Sequence, residues 1–138
     1  MTLHLIKLAV GTEDVADLRR WQRLRRKERG FSAFYTRNTP RRAVELLDGG
    51  SIYWVIKGYV RARQRLKGFT STVNDDGQPR CVVAYDMQLM QTVLVPKRPF
   101  QGWRYLEAKD APADWAGATV AADLPPKMVE ELRLLGLL

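Results

Sequence analysis

The sequence predicts one α+β domain over residues 1–138, a curved and mostly antiparallel sheet flanked by about three helices. Two stretches, residues 49–68 and 80–95, alternate apolar and polar side chains with the period of two that a half-buried strand requires. Three others, near residues 12–29, 40–48 and 126–135, carry the capping, charge or proline signals of helices. With 138 residues and 46% hydrophobic content, the chain can bury a core without disulfides or a structural metal.

Residues 3–10, LHLIKLAV, are apolar on both parities and so belong to a central or near-central strand, ended by Gly11. Thr12 offers a capping hydroxyl to the first helix. Its first turns hold Glu13, Asp14 and Asp17 and its last turns Arg25, Arg26, Lys27 and Arg29, which complements the helix dipole, and Gly30 stops it. At about 100° per residue, Val15, Leu18, Trp21 and Leu24 make an apolar stripe opposite Arg19, Arg20, Arg23, Arg26 and Lys27. Residues 31–37, FSAFYTR, favour a short strand. Thr39 and Pro40 open a second, short helix with Val44 and Leu47 inward, which Gly49 and Gly50 end.

Within residues 49–68, Ile52, Trp54, Ile56, Val60, Ala62, Gln64 and Leu66 share the apolar parity. Lys57, Arg61, Arg63, Arg65 and Lys67, with Tyr53 and Tyr59, share the other. About fifteen residues is long for a strand, so Gly58 is expected to mark a bend or bulge. Asn74, Asp75, Asp76 and Gly77 form a turn, the adjacent acids being turn chemistry rather than metal ligands. Beyond it Cys81, Val83, Tyr85, Met87 and Leu89 face inward on a strand antiparallel to the first. Pro96 closes that strand and opens an ordered loop with a short strand near residues 103–107. Pro125 and Pro126 begin the last helix, with Met128, Val129, Leu132 and Leu135 towards the sheet.

Charge directs the functional reading. The 23 Lys and Arg outnumber 15 Asp and Glu, giving +8, and no acid occurs between Gly49 and Asn74, which favours a polyanionic partner. One cysteine, Cys81, and one histidine, His4, leave no intrachain disulfide and no cysteine-based zinc cluster, and a Ser-His-Asp, Cys-His or two-histidine metal arrangement would have to pass through His4 or Cys81 alone. The chain shows no Gly-rich phosphate loop, so no catalytic residue, metal or cofactor is expected. No run approaches membrane-spanning length and the N-terminus lacks the apolar core of a signal peptide, so a cytoplasmic protein without membrane partners is expected.

The chemistry concentrates in two segments that mix cations with rings or planar amides: Lys57, Tyr59, Arg61 and Arg63 on the strand, and Arg98, Gln101, Arg104 and Tyr105 on the loop. Cations neutralise phosphates and aromatic faces stack on unpaired bases, so the expected function is RNA binding. Two other classes stand beside it. One is a small metal-independent hydrolase of nucleotides or RNA using Lys57 with Glu45 or Tyr53, and the other a protein–protein adaptor displaying residues 100–105.

The segments LHLIKLAVG, GGSIYWVIKG, RPFQGWRYL and DAPADW resemble a family of short bacterial proteins known only as a conserved domain of unknown function, over nearly the whole chain. The order of short helix, glycine and a strand carrying Lys57 before long antiparallel strands is also similar in outline to PUA-like domains, including the ASCH group. That resemblance implies a pseudo-barrel and RNA association. Here Lys57 precedes Gly58, unlike the Gly-x-Lys of ASCH domains, so no hydrolase residue is carried over.

Overall fold

A computed structural model describes residues 2–116 and 125–135. The elements in order are β1 (Leu3–Leu8), α1 (Val15–Arg29), β2 (Ala33–Thr36), α2 (Ala43–Leu47), β3 (Ser51–Ile56), β4 (Tyr59–Val73), β5 (Pro79–Tyr85), β6 (Met90–Pro96), β7 (Trp103–Glu107), a 3-10 turn (Ala108–Asp110) and α3 (Pro126–Leu134). Seven strands form one sheet in the order β2-β5-β4-β3-β1-β7, with β6 also on β4. Among the described residues only β1 and β3 pair in parallel. The α+β architecture with a mostly antiparallel sheet is therefore as the sequence predicts.

The expected single strand over residues 49–68 is instead a hairpin. Lys57 (φ 50°) and Gly58 (φ 81°) both adopt left-handed backbone, the requirement of a tight two-residue turn whose twist matches its flanking strands. β3 and β4 then pair antiparallel, and the register slips once, from Ile56↔Tyr59 and Val55↔Val60 to Trp54↔Ala62. Arg61 is the extra residue of this bulge. The second long stretch is also broken: residues 86–89 separate β5 from β6, which lie on successive lengths of β4, Leu66–Val73 and Tyr59–Arg63. The sheet curves until its edges touch, where Trp103 Nε1 of β7 donates to Thr36 Oγ1 of β2 at 3.0 Å. No backbone ladder joins β2 to β7, so the pseudo-barrel implied by the PUA resemblance does not close.

The two faces of the sheet carry separate cores. On one, Leu5, Ile52, Trp54, Ile56, Ala62, Leu66 and Val83 pack beneath Leu18 of α1 and Leu46 of α2. On the other lie Ile6, Tyr53, Val55, Val60 and Leu106. The bulge puts Val60 in the second core, not on the face of Ala62 and Leu66 where simple alternation places it. The expected cap at Thr12 is corrected: α1 begins at Val15 and is capped by Asp14, which accepts from the Asp17 amide, while Gly30 ends it in left-handed conformation as expected. The expected apolar stripe of α1 is corrected: Leu18 and Gln22 are buried, while Trp21 and Leu24 are about half exposed, at 48% and 50%. The second helix begins at Ala43, later than expected, and the expected inward pair is corrected: Leu46 points inward and Val44 and Leu47 outward. α3 leaves Met128 and Leu135 exposed and is held by polar contacts: Glu130 pairs with Arg61, and Arg133 donates to Gln91 Oε1 and the Thr92 carbonyl.

Gln64 is fully buried, and its amide is saturated. Its Oε1 accepts from Gln22 Nε2 (2.7 Å) and Trp54 Nε1 (2.9 Å), and its Nε2 donates to Gln22 Oε1 (2.8 Å) and the Asp86 carbonyl (2.9 Å). Replacing Gln64 with Leu would leave the Trp54 indole N–H and the Gln22 amide buried without partners. We expect a loss of about 2–5 kcal/mol in denaturant unfolding, the sum of two or more orphaned groups at about 1–3 kcal/mol each. Gly50 sits where a Cβ would collide with the carbonyl oxygens of Leu3 and Leu46. Backbone cannot yield as a flexible side chain can, so Gly50→Ala is expected to cost at least about 3 kcal/mol, the upper end of overpacking effects, measured the same way.

His4 is buried, edge-on to Tyr53 at 5.0 Å, with Nδ1 accepting the Ser51 amide at 3.0 Å. Burial, and secondarily the nearby Arg63 charge, hold its pKa below the ordinary 6.5. The unfolded chain therefore takes up this proton first, and the stability it confers is present above pH 6.5 and lost as the pH falls from there through the depressed folded value. His4→Asn, whose carbonyl oxygen can accept the same amide, should show a smaller drop in melting temperature between pH 7.5 and about 5.5 than the wild type.

Candidate nucleic-acid interface

The hairpin and its bulge decide the fate of the expected cation row. Lys57 stands exposed in the β3–β4 turn, with Nζ 2.9 Å from Glu13. Arg61 is 5% exposed: its Nε donates to the Ile56 carbonyl at 2.6 Å, its Nη1 meets Glu130 at 2.8 Å, and its guanidinium covers the Tyr59 ring. Arg63 makes a two-pronged pair with Asp114 (2.7 and 2.8 Å) and donates to Ser51 Oγ. That hydrogen-bonded pairing holds the Asp114 carboxyl below its ordinary range. Arg61 and Arg63 are thus engaged in holding α3 and the segment around Asp114 on the sheet. The alternation of the strand could not reveal this, because both partners lie more than fifty residues away.

The strand and loop segments do meet, but at one end. Lys97 N donates to the Gly58 carbonyl at 2.8 Å, and Tyr59 lies opposite Pro96. Arg98 and Gln101 are exposed. The Arg104 guanidinium lies 4.4 Å from the centre of the Phe100 ring, and Tyr105 receives the Arg42 amide on its hydroxyl and the Arg42 guanidinium over its ring. Lys97, Arg104, Tyr105 and Arg42 border an open recess of about 620 Å³, but Glu107 and Asp110 border it too, so its field is mixed. The trio Lys57, Glu45 and Tyr53 is not brought together. Glu45 pairs with Arg42 in α2 before the start of β3, Lys57 follows its end about 20 Å of strand away, and Tyr53 is buried.

The opposite face of the sheet carries a different constellation. Between the end of β1, α1 and β2 lies a cleft of about 250 Å³ whose lining includes Lys7, Trp21, Arg25, Phe34, Trp54 and Tyr85. Its floor is a set of buried rings: Trp54 meets Phe34 and Tyr85 edge-on at 5.9 and 5.8 Å. Lys7 projects from β1 with Nζ 5.7 Å from the centre of the Phe34 ring, burial lowers its pKa, and no carboxylate of the described residues pairs with it. Burial raises the Tyr85 hydroxyl, against the pull of Arg25, Arg29 and Arg26.

α1 rises beside the cleft with seven cations, Arg19, Arg20, Arg23, Arg25, Arg26, Lys27 and Arg29. Arg20 pairs with Asp17, and none of the other six is ion-paired among the described residues. Arg25 lies over the Trp21 ring at 6.0 Å and Arg29 over Tyr35 at 5.1 Å, both rings being about half exposed. Sequence reasoning found the cations of α1 but missed Lys7, Trp21, Phe34, Tyr35, Trp54 and Tyr85. The available signal was Lys7 itself, the one ionised side chain in an otherwise apolar run expected to be central.

No helix of the described residues is long and apolar enough to cross a membrane. No curated protein and no solved structure matches the chain. The pattern that defines one family does match, over residues 5–138, a span that takes in both concavities described above and all of the strands but the first two residues of β1, and the chain therefore belongs to that family, described as protein of unknown function DUF1489.

Proposed function

We propose that the protein is a cytoplasmic RNA-binding module whose main contact surface is α1 and the adjoining β2 edge. The observation that carries this reading is that six cations of α1 lack acidic partners among the described residues, and two of them, Arg25 and Arg29, lie over the half-exposed rings of Trp21 and Tyr35. A helix made soluble by charge ordinarily interleaves acids with bases. Here the acids are two, Asp17 and Glu28. A single-sign field attracts phosphates, and exposed rings add what a duplex cannot use, a face for an unpaired base to stack on. Single-stranded or looped RNA is accordingly favoured over duplex DNA.

Of the residues singled out on the strand and loop, Arg98 and Gln101 remain exposed and can add a second contact. Lys57, Tyr59, Arg104 and Tyr105 are already engaged with protein groups but reach the surface, whereas Arg61 and Arg63 serve the fold. The test is anisotropy of a labelled single-stranded RNA at a series of salt concentrations. Arg19, Arg23 and Lys27 changed together to Gln should weaken binding at about 50 mM salt and reduce the slope of log K against log salt by about 2, at roughly 0.7 per lost phosphate contact. Arg98→Gln should have a smaller effect in the same direction. Absence of binding at about 50 mM salt, or binding unchanged in the triple variant, would overturn the proposal.

A further inference from the structure

We infer that the cleft beside Lys7 seats a single nucleotide, its base against the aromatic wall and its phosphate on the Lys7 ammonium and the Arg25 guanidinium. The inference deepens the RNA reading, on which it rests for its biological setting but not for its geometry. Size limits the occupant. About 250 Å³ falls below the roughly 300–1,000 Å³ of pockets for drug-sized ligands and corresponds to about eight waters at ~30 Å³ each, the scale of one nucleobase with its sugar at the mouth.

Chemistry selects among occupants of that size. Phe34 and Trp54, buried and edge-on to one another, floor the cleft, and the half-exposed Trp21 at the lip supplies the apolar ring face that suits a planar base. Arg25, already held over Trp21, reaches the cleft from above. Lys7 is the decisive group: an ammonium partly withdrawn from water, with a ring face as its contact and no carboxylate of the described residues to balance it. A cation–π contact offsets only part of the lost hydration, and an arriving phosphate would complete the balance. A lysine that merely packs its stem and leads its amine to solvent would satisfy the same burial, and it would make no distinction between a phosphorylated and an unphosphorylated ligand. Thr12 also lines the cleft, and a hydroxyl is both a donor and an acceptor for the edge of a base.

The experiment titrates the full chain with adenosine and uridine 5′-monophosphates, with the nucleosides and with inorganic phosphate, reading the indole N–H resonances of Trp21 and Trp54. We expect the monophosphates to shift these two resonances at submillimolar to low millimolar concentration, and each nucleoside or phosphate alone to bind at least tenfold more weakly. Lys7→Met should raise the monophosphate Kd tenfold or more, and Lys7→Arg should restore part of the loss. If Lys7→Met does not fold, Trp21→Ala at the exposed lip, with the comparison of monophosphate and nucleoside in the wild type, decides instead. No shift with monophosphates, equal affinity for nucleoside and monophosphate, wild-type affinity in a folded Lys7→Met, or, where that variant does not fold, wild-type affinity in Trp21→Ala overturns the inference. A salt-dependent oligonucleotide affinity alongside any of these results leaves RNA binding standing and removes the cleft from it. Lys7-dependent monophosphate binding, with oligonucleotides bound no more tightly, supports the cleft as a site for free nucleotides and removes the RNA reading.

Discussion

Gln64 has no contact with solvent, and four separate parts of the chain meet at its amide. Through it Gln22 anchors α1 to the sheet, Trp54 of β3 fixes its indole, and the Asp86 carbonyl holds the interruption between β5 and β6 against β4. A buried amide is costly unless every donor and acceptor is matched, and matching all of them leaves one arrangement of these elements. An apolar residue in its place could pack at several helix rotations. The amide permits the rotation that buries Gln22, and with it leaves Trp21 on the outside. The aromatic cleft is therefore a by-product of a polar contact in the core, since Gln22 and Trp54 both line it.

The bulge at Arg61 explains why the alternating pattern was partly right for the wrong reason. In an unbroken hairpin that pairs Ile56 with Tyr59, Trp54 would face Arg61 and Ile52 would face Arg63, turning the cations inward. One extra residue moves the pairing to Trp54↔Ala62 and Ile52↔Gln64 and restores the even parity that a continuous strand also implies. Ile52, Trp54, Ile56, Ala62, Gln64 and Leu66 were accordingly legible as inward-facing, even though a turn lies between them. Val60 was not placed correctly, because it precedes the extra residue and follows the other parity. Lys57 in left-handed backbone gave little local warning, since such turns usually announce themselves with Asn or Asp before Gly.

Elements defined by local signals were read well: the stop of α1 at Gly30, the Asn74–Gly77 turn with Asn74 accepting two amides, the buried Cys81, and the near-central β1. What escaped depends on partners distant in sequence. The engagement of Arg61 and Arg63 rests on Glu130 and Asp114. The aromatic wall gathers residues from β2, β3 and β5 around a lysine from β1, and no spacing in the sequence marks residues that converge from four strands. The cationic face of α1 was legible because it needs only the helical period.

The place of β1 in the sheet also governs when the fold can be completed as the chain is made. β1 lies between β3 and β7, and the register of β1 with β7 pairs Leu5 with Tyr105, residues a hundred positions apart. At about 5–20 residues per second, β1 waits about 5–20 s for β7, the later of its two neighbours. Its early partner β3 arrives sooner, but it offers a parallel pairing that itself needs the connection through α1 and α2 to be in place. Until β7 is made, β1 therefore exposes the unpaired edge of an apolar strand, a period in which a chaperone that covers it would shield it from other chains.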